Sequence, residues 1–512
     1  MSIFEESVEF LDSDIRFHDS QRFEVKLDIE LEAPRKSSYE IETYFFVPSA
    51  LNINQRTYSK TDFYNNLQNF IRFKTPPMDL DKICDERTEN SPYNKIKKGI
   101  AAIQSGSATT SREEEVYNEI KLLGCASRDY IKGYNSFFIE EVKKGAAGAE
   151  GRMLSENLKR LLDELEFFRK KIGELKQRIS SPVVPCRIRD AFSFFEEYIS
   201  IICEENLTSI LYALEKSGRK KEFREEMQRL VGAIRWENNF RRRNNYLSYI
   251  KEDGENEIFT FRRSALKKFI SSALYLKTKV SEWEGVYQVF FGLAAGVAML
   301  FAVIVTIYAQ KKYQINSIPF IVLVVVSYIF KDRIKDWLKV WFSKRMTKWF
   351  SDRRLEILDP ANNNKKIGVL KEAFTFLPAS SMPSDILRVR NIDNITSIDE
   401  EGKPEEIFKY EKNVKFFPEM IFKFHEEKKS IKDIMRFNIS KYPLNADDPY
   451  VEEKYMDLKT GEIKSVACAR VYHVNVVIKY IYKLGGSDVV NYDRIRIILN
   501  KNGIVRIENV KV

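Results

Sequence analysis

The chain has 512 residues, with 84 Lys and Arg against 74 Asp and Glu, a formal net charge of +10, 44% hydrophobic residues, 5 Cys and 3 His. That hydrophobic share supports packed cores and excludes a chain disordered throughout. Five cysteines with no C-x-x-C pair exclude a disulfide scaffold and a cysteine zinc module, and three scattered histidines (His18, His425 and His473) exclude a His-rich metal centre.

In chain order, Phe23, Val25, Leu27, Ile29 and Leu31 alternate with polar residues, and so do Ile41, Thr43, Phe45 and Val47. Period-two alternation marks half-buried strands, and APRKSS between them predicts an antiparallel hairpin. Residues 1–110 are therefore expected to form an N-terminal β-containing region. Ser111 and Glu114 have the spacing of a capping box ahead of a helix. KKGAAGAEGR, residues 143–152, reads as a flexible connection. From Leu154 to Ile179 apolar residues recur every three or four positions, the pattern of a long amphipathic helix. Similar stripes from Ile188 and from Phe223 extend a helical bundle over 111–284. Arg241, Arg242 and Arg243, beside Trp236, Phe240 and Tyr246, form a candidate patch for an anion or an acidic partner, with nucleic acid the less favoured ligand.

Gly285 to Gln310 is a run of 26 residues without a charge. A bilayer-crossing helix needs about 20 apolar residues, and this one would extend about 36–39 Å. Tyr313 to Phe330 is a second uncharged run. A short polar connection joins the two, so the expectation is a transmembrane helical hairpin at 285–310 and 313–330, with Pro319 in the first turn of its second helix. Gly292 and Gly296 form a G-x-x-x-G. Small residues at that spacing let helices approach closely, either a second copy of the chain or the second span of the same one.

Residues 331–354 read as a basic amphipathic juxtamembrane helix. Trp337, Trp341 and Trp349 share it with Lys331, Arg333, Lys335, Lys339, Lys344 and Lys348, a composition suited to the headgroup boundary of an anionic leaflet. Its net charge is +6, as is that of 262–279, so the remainder of the chain sums to −2. The basic excess is thus concentrated beside the two spans. Lys and Arg on both flanks, against only Lys311 and Lys312 in the connection, place both termini in the cytoplasm of a plasma or inner membrane. MSIFEESVEF lacks the basic and apolar regions of a signal peptide.

The C-terminal segment 355–512 reads as a mixed α+β domain with an antiparallel sheet. Tyr472 to Tyr482 alternate along one long strand. NKNG at 500–503 turns a hairpin, and DLKTGEI at 457–463 turns another. The fold class predicted is thus an α+β membrane protein built from a β-hairpin element, a helical bundle, a two-helix transmembrane hairpin and this domain.

No phosphate-binding glycine loop, nucleophile elbow or kinase signature occurs, so no catalytic residue, cofactor or metal is expected. Three functions remain. The first is a two-pass membrane-anchored interaction scaffold or sensor, with a protein partner or a homo-oligomer. The second is a membrane-perturbing effector whose hairpins oligomerise. The third is a membrane-tethered enzyme with no local motif.

Overall fold

The computed structural model describes residues 11–512 apart from 32–37, 76–77, 108, 146–148, 221, 253, 281–283, 316, 350, 394–403, 423–429 and 485–486. It is a mixed α+β architecture of helices and antiparallel sheets. The first strands are β1 (Leu11–Asp19), β2 (Arg22–Glu30), β3 (Ser38–Pro48) and, after α1 (Lys60–Asn66), β4 (Leu67–Phe73). The alternation in β2 and β3 buries Phe23, Val25, Leu27 and Ile29, and Ile41, Phe45 and Val47.

The expected pairing of these two strands is corrected. β2 lies between β1 and β9 (Ser430–Asn438) in a four-stranded sheet, order β1-β2-β9-β4. β3 lies in the middle of an eight-stranded sheet, order β14-β13-β12-β3-β8-β7-β6-β5. Its neighbours there are β8 (Glu405–Phe416) and β12 (Tyr472–Leu484). The other members are β5 (Lys277–Val280), β6 (Arg353–Asp359), β7 (Lys365–Leu377), β13 (Ser487–Asn500) and β14 (Gly503–Val510). Alternation specifies which face of a strand is buried but not which strand it joins.

The two sheets pack face to face. Phe45 of the larger sheet meets Phe23 and Phe437 of the smaller at 6.4 and 5.3 Å between ring centroids. At one end the turn between β13 and β14 docks on the turn between β1 and β2. Gly503 has φ 115°, and a Cβ there would lie 2.2 Å from the Ser20 carbonyl oxygen, so only glycine fits. Segments on either side of the apolar runs, 11–73 and 353–510, therefore build one sandwich.

Two helical excursions leave it. The first runs from β4 to β5 through α2 (Leu80–Cys84), α3 (Pro92–Gln104), α4 (Thr110–Lys144), α5 (Ala149–Ile179), α6 (Cys186–Lys216), α7 (Arg224–Arg243) and α8 (Glu257–Ser271). The predicted stripe of α5, from Leu154 to Ile179, is buried throughout. The excursion closes where it began: Phe73 N donates to Leu274 O and Leu276 N to Ile71 O, both at 2.9 Å. The expected capping box at Ser111 is absent. α4 starts at Thr110 without a side-chain cap, and Glu114 accepts from Arg187 of α6 at 2.6 Å instead. Of the expected flexible connection, 143–144 end α4, which Gly145 closes at φ 76°, and 149–152 begin α5, while 146–148 lie outside the described residues.

The second excursion is α9 (Glu284–Lys312) and α10 (Ile318–Trp349), which pack on each other. It leaves from β5 and returns into β6, and these two strands pair antiparallel at the edge of the large sheet, Lys279 opposite Glu356. The separate interfacial helix expected over 331–354 is corrected to the second half of α10, continuous with the apolar part before it. Last, β10 (Tyr450–Met456) and β11 (Ile463–Ala469) form the predicted hairpin about DLKTGEI as an exposed two-stranded arm.

Candidate functional site

The helical pair carries most of the residues singled out from the sequence. Among the described residues only α9 has an apolar stretch long enough to cross a membrane, Phe291–Lys312, and 17% of its most apolar window is buried. Ala294, Ala298, Ala302 and Ala309 are the buried seam of α9. Their small side chains let α10 approach closely. Gly292 and Gly296 are on a different side: both are exposed, and nothing lies within 4 Å of a Cβ built at either. The glycine pair therefore does not serve packing between the two helices, and alanines do.

Phe291 and Lys339 fix the register of the pair. The Lys339 ammonium sits 5.6 Å from the Phe291 ring centre, and both residues are equally far in sequence from Ile315 in the connecting turn. Residues equidistant from Ile315 thus lie at the same level, Met299 with Lys331 and Leu293 with Trp337. The apolar run of α10 stops at Phe330, so the basic half of α10 runs beside the apolar first half of α9. Lys331, Lys335 and Lys339 are half-buried along it, and Arg333, Trp337 and Trp341 are exposed, Trp337 at 70%. Lys331 lies 3.5 Å from the centre of the Tyr328 ring, and Asp332 is 4.0 Å from Lys331 and 3.7 Å from Lys335. Lys344, Lys348 and Trp349 belong to α10, with side chains outside the described residues.

The exit of α10 is bolted to the sandwich. Asp352 accepts from Lys60 Nζ (2.6 Å), Tyr64 OH (3.0 Å) and the Phe374 backbone N–H (2.7 Å), and Arg353 stacks on Tyr64 at 4.1 Å. Beside this junction opens a cleft of about 990 Å³, reaching from Ser59, Lys60 and Ser351 along the outer face of β7, β8 and β3. On that face Glu42 and Glu411 are directly opposed across the strands. Like charges so placed repel. Lys409 relieves them by bonding both, Glu42 at 2.5 Å. Glu40, next along the row, has its carboxyl held above the usual range by burial and by the charges of Glu42 and Glu411.

Behind the cleft wall, between the sheets, lies a polar network. Lys412 and Asp433 are both fully buried, with Nζ donating to Oδ1 at 2.6 Å. Tyr39 OH donates to the other Asp433 oxygen at 2.6 Å. Tyr410 OH donates to Glu372 at 2.6 Å, and Asn69 bonds Glu372, Tyr410 and Lys412. Burial raises the Glu372 carboxyl. These groups hold the two sheets in register. No nucleophile with an adjacent base is assembled here, and among the described residues no group of three or more His, Cys, Asp or Glu could hold a metal ion.

The predicted arginine patch does not form. Arg241 is buried: its Nε donates to Ser248 O at 2.8 Å, its Nη1 to Ser200 Oγ at 2.9 Å, and its Nη2 bonds Glu204. Burial, with the charge of Arg169 behind it, pushes its pKa down to about 10. Arg169 meanwhile grips Glu237 through its Nε at 2.9 Å and its Nη2, which reaches both carboxylate oxygens at 2.6 Å, while burial raises the Glu237 carboxyl. Arg242 bonds Asn238 and stacks on Tyr249, and Arg243 is exposed. Successive helical residues point about 100° apart, so three in a row cannot share a face. Leu230, Ile234, Glu237 and Arg241 fall on one stripe at steps of three and four, the signal that places Arg241 inside.

No protein-family model, curated protein or solved structure matches the chain.

Proposed function

We propose that this is a two-pass membrane-anchored protein whose sandwich and helical body lie together on the cytoplasmic side, where they act as an interaction scaffold or sensor. One observation carries the reading: a helix apolar on every side keeps Leu293, Val297, Leu300 and Ile304 outside the protein. An apolar helix of a water-soluble protein buries such residues. Among the described residues of α9 the alanine seam is what is buried, and a bilayer would cover the exposed apolar remainder.

The topology supports the arrangement. Strands before and after the hairpin share one sheet, and β5 pairs with β6 at its base. Both flanks must then be on one side of any membrane the hairpin enters. The basic residues of 262–279 and 331–354 favour the cytoplasm for that side. The exposed arm of β10 and β11 and the cleft beside Ser351 supply surfaces for a partner.

The test uses two native thiols. Cys186 and Cys468 are exposed and flank the hairpin, while Cys84, Cys125 and Cys203 are buried. In intact cells an impermeant maleimide should label neither exposed thiol, and after permeabilisation it should label both. The protein should also resist alkaline carbonate extraction. Labelling of one thiol in intact cells, or a detergent-free soluble monomer, would refute the reading.

A second reading, an effector whose hairpins assemble in the bilayer, is favoured by the open surface at Gly292 and Gly296. Vesicle dye release by the full chain, lost in Gly292→Leu/Gly296→Leu, would select it.

A further inference from the structure

The two helices of the hairpin have apolar lengths that do not match. A hydrocarbon core of about 30 Å takes about 20 helical residues. Counted from the turn, this covers α9 back to Leu293 and α10 forward to Trp337. In α9 the covered residues up to Gln310 are uncharged. In α10 they include Lys331, Asp332, Arg333, Lys335 and Asp336. Lys331 starts about 9 Å below the near boundary at ~1.5 Å per residue. Lysine stems can snorkel upward, but Asp332 is short and stays at that depth. Ions at such depth are stable only beside water, counter-ions or polar headgroups.

We infer that the side of the hairpin formed by Lys331, Lys335 and Lys339 is a recessed binding site for the headgroup of an anionic phospholipid, drawn below the plane of the near leaflet. The inference rests on the spanning reading above. Charge complementarity selects the occupant: from Lys331 to Lys339 there are four basic and two acidic residues. Asp332 is shared between Lys331 and Lys335, so it neutralises them in part. Lys331, Lys335 and Lys339 stand one turn apart on the flank beside α9, where Ala294 and Ala298 take little room. The three ammonium groups therefore form a short ladder along which a phosphate can sink, with its acyl chains against the exposed apolar side of α9. On the α9 side the leaflet keeps its full thickness, and on the α10 side it is thinned.

The experiment uses the full chain with Trp236, Trp283 and Trp349 changed to Phe, reconstituted in phosphatidylcholine vesicles containing phosphatidylglycerol. Trp337 and Trp341 then report on lipids carrying bromine near the headgroup end of the acyl chain. Brominated phosphatidylglycerol should be enriched over brominated phosphatidylcholine by about fivefold or more, the factor contributed by one lysine near an anionic surface. The preference should persist at 1 M salt, where the Debye length is about 3 Å and attraction to a flat charged surface is screened. It should vanish in Lys331→Leu/Lys335→Leu/Lys339→Leu and survive in the corresponding triple Arg variant. Equal quenching by the two lipids in a carbonate-resistant protein overturns the recessed site and leaves the anchor intact. A preference abolished by salt also overturns it, assigning the lysines to the surface. Extraction of the unsubstituted protein by carbonate overturns the spanning reading and this inference with it.

Discussion

Replacing Lys412 with Met tests whether the buried network is what aligns the two sheets. The side chain is fully buried, and its ammonium is the only cation bonded to Asp433 among the described residues. Met keeps the apolar volume and removes the charge. Asp433, also fully buried, is left with the Tyr39 hydroxyl at 2.6 Å as donor. Removing one partner of a buried ion pair costs about 3–5 kcal/mol, because the remaining charge is stranded. At about 2–4 °C per kcal/mol for a unit of about 150–250 residues such as the sandwich, its melting temperature should fall by roughly 6–20 °C. The assay is thermal unfolding of the full chain in mild detergent, followed by intrinsic fluorescence. The double variant Lys412→Met/Asp433→Asn keeps an acceptor for Tyr39 but no charge, and should recover more than half of the loss. If the single and double variants melt together, or if the single variant melts with the unsubstituted protein, the charge pair does not organise the sandwich.

Other outcomes follow from the same geometry. Glu372→Gln should change the pH dependence of stability: burial raises the folded carboxyl, so stability in the unsubstituted protein falls as pH rises from about 4.5 through the raised value, and the Gln variant should lose that slope in a pH series of melts. Ala298→Leu should loosen the helical pair by about 1–3 kcal/mol through overpacking, read as faster protease cleavage near the connecting turn. Gly292→Leu should leave that cleavage unchanged, because space is open at its Cβ. Arg241→Ala should destabilise the helical body by about 1–3 kcal/mol by stranding its acceptors, seen as faster amide exchange in α6 and α7, and loss of a surface anion site alone would leave exchange unaltered.

The helices were legible in the sequence because their contacts are local. The stripe from Leu154 to Ile179 names its own buried side, and so do the hairpins about Gly503 and Gly461, whose turns bring neighbouring strands together. What could not be read was partnership over long distance. β2 joins β9 and β3 joins β8 and β12 across hundreds of intervening residues, and alternating Phe, Val and Ile are equally suited to any neighbour with a matching face. The buried network was invisible for the same reason, since Asn69, Glu372, Lys412 and Asp433 come from four separate strands. The arginine patch was a different case: helical periodicity through Glu237 and Arg241 carried the answer, and consecutive arginines in the one-dimensional text obscured it. The level of Lys331 beside Met299 was likewise contained in the short turn, once residues are counted outward from Ile315.

The place of β3 has a consequence for how the chain is made. It occupies the middle of the large sheet, yet both neighbours are synthesised late: β8 begins about 350 residues after β3 ends, roughly 20–70 s at about 5–20 residues per second. Throughout that interval a strand carrying Tyr44, Phe45, Phe46 and Val47 has two open edges, the kind of template that captures other chains. The helical pair α9 and α10 is made in the last third of it. Under the proposed anchoring, the nascent chain is already tethered before its central strand finds a partner, so the sandwich closes beside the bilayer, with diffusion restricted to two dimensions and encounters between unfinished copies correspondingly limited.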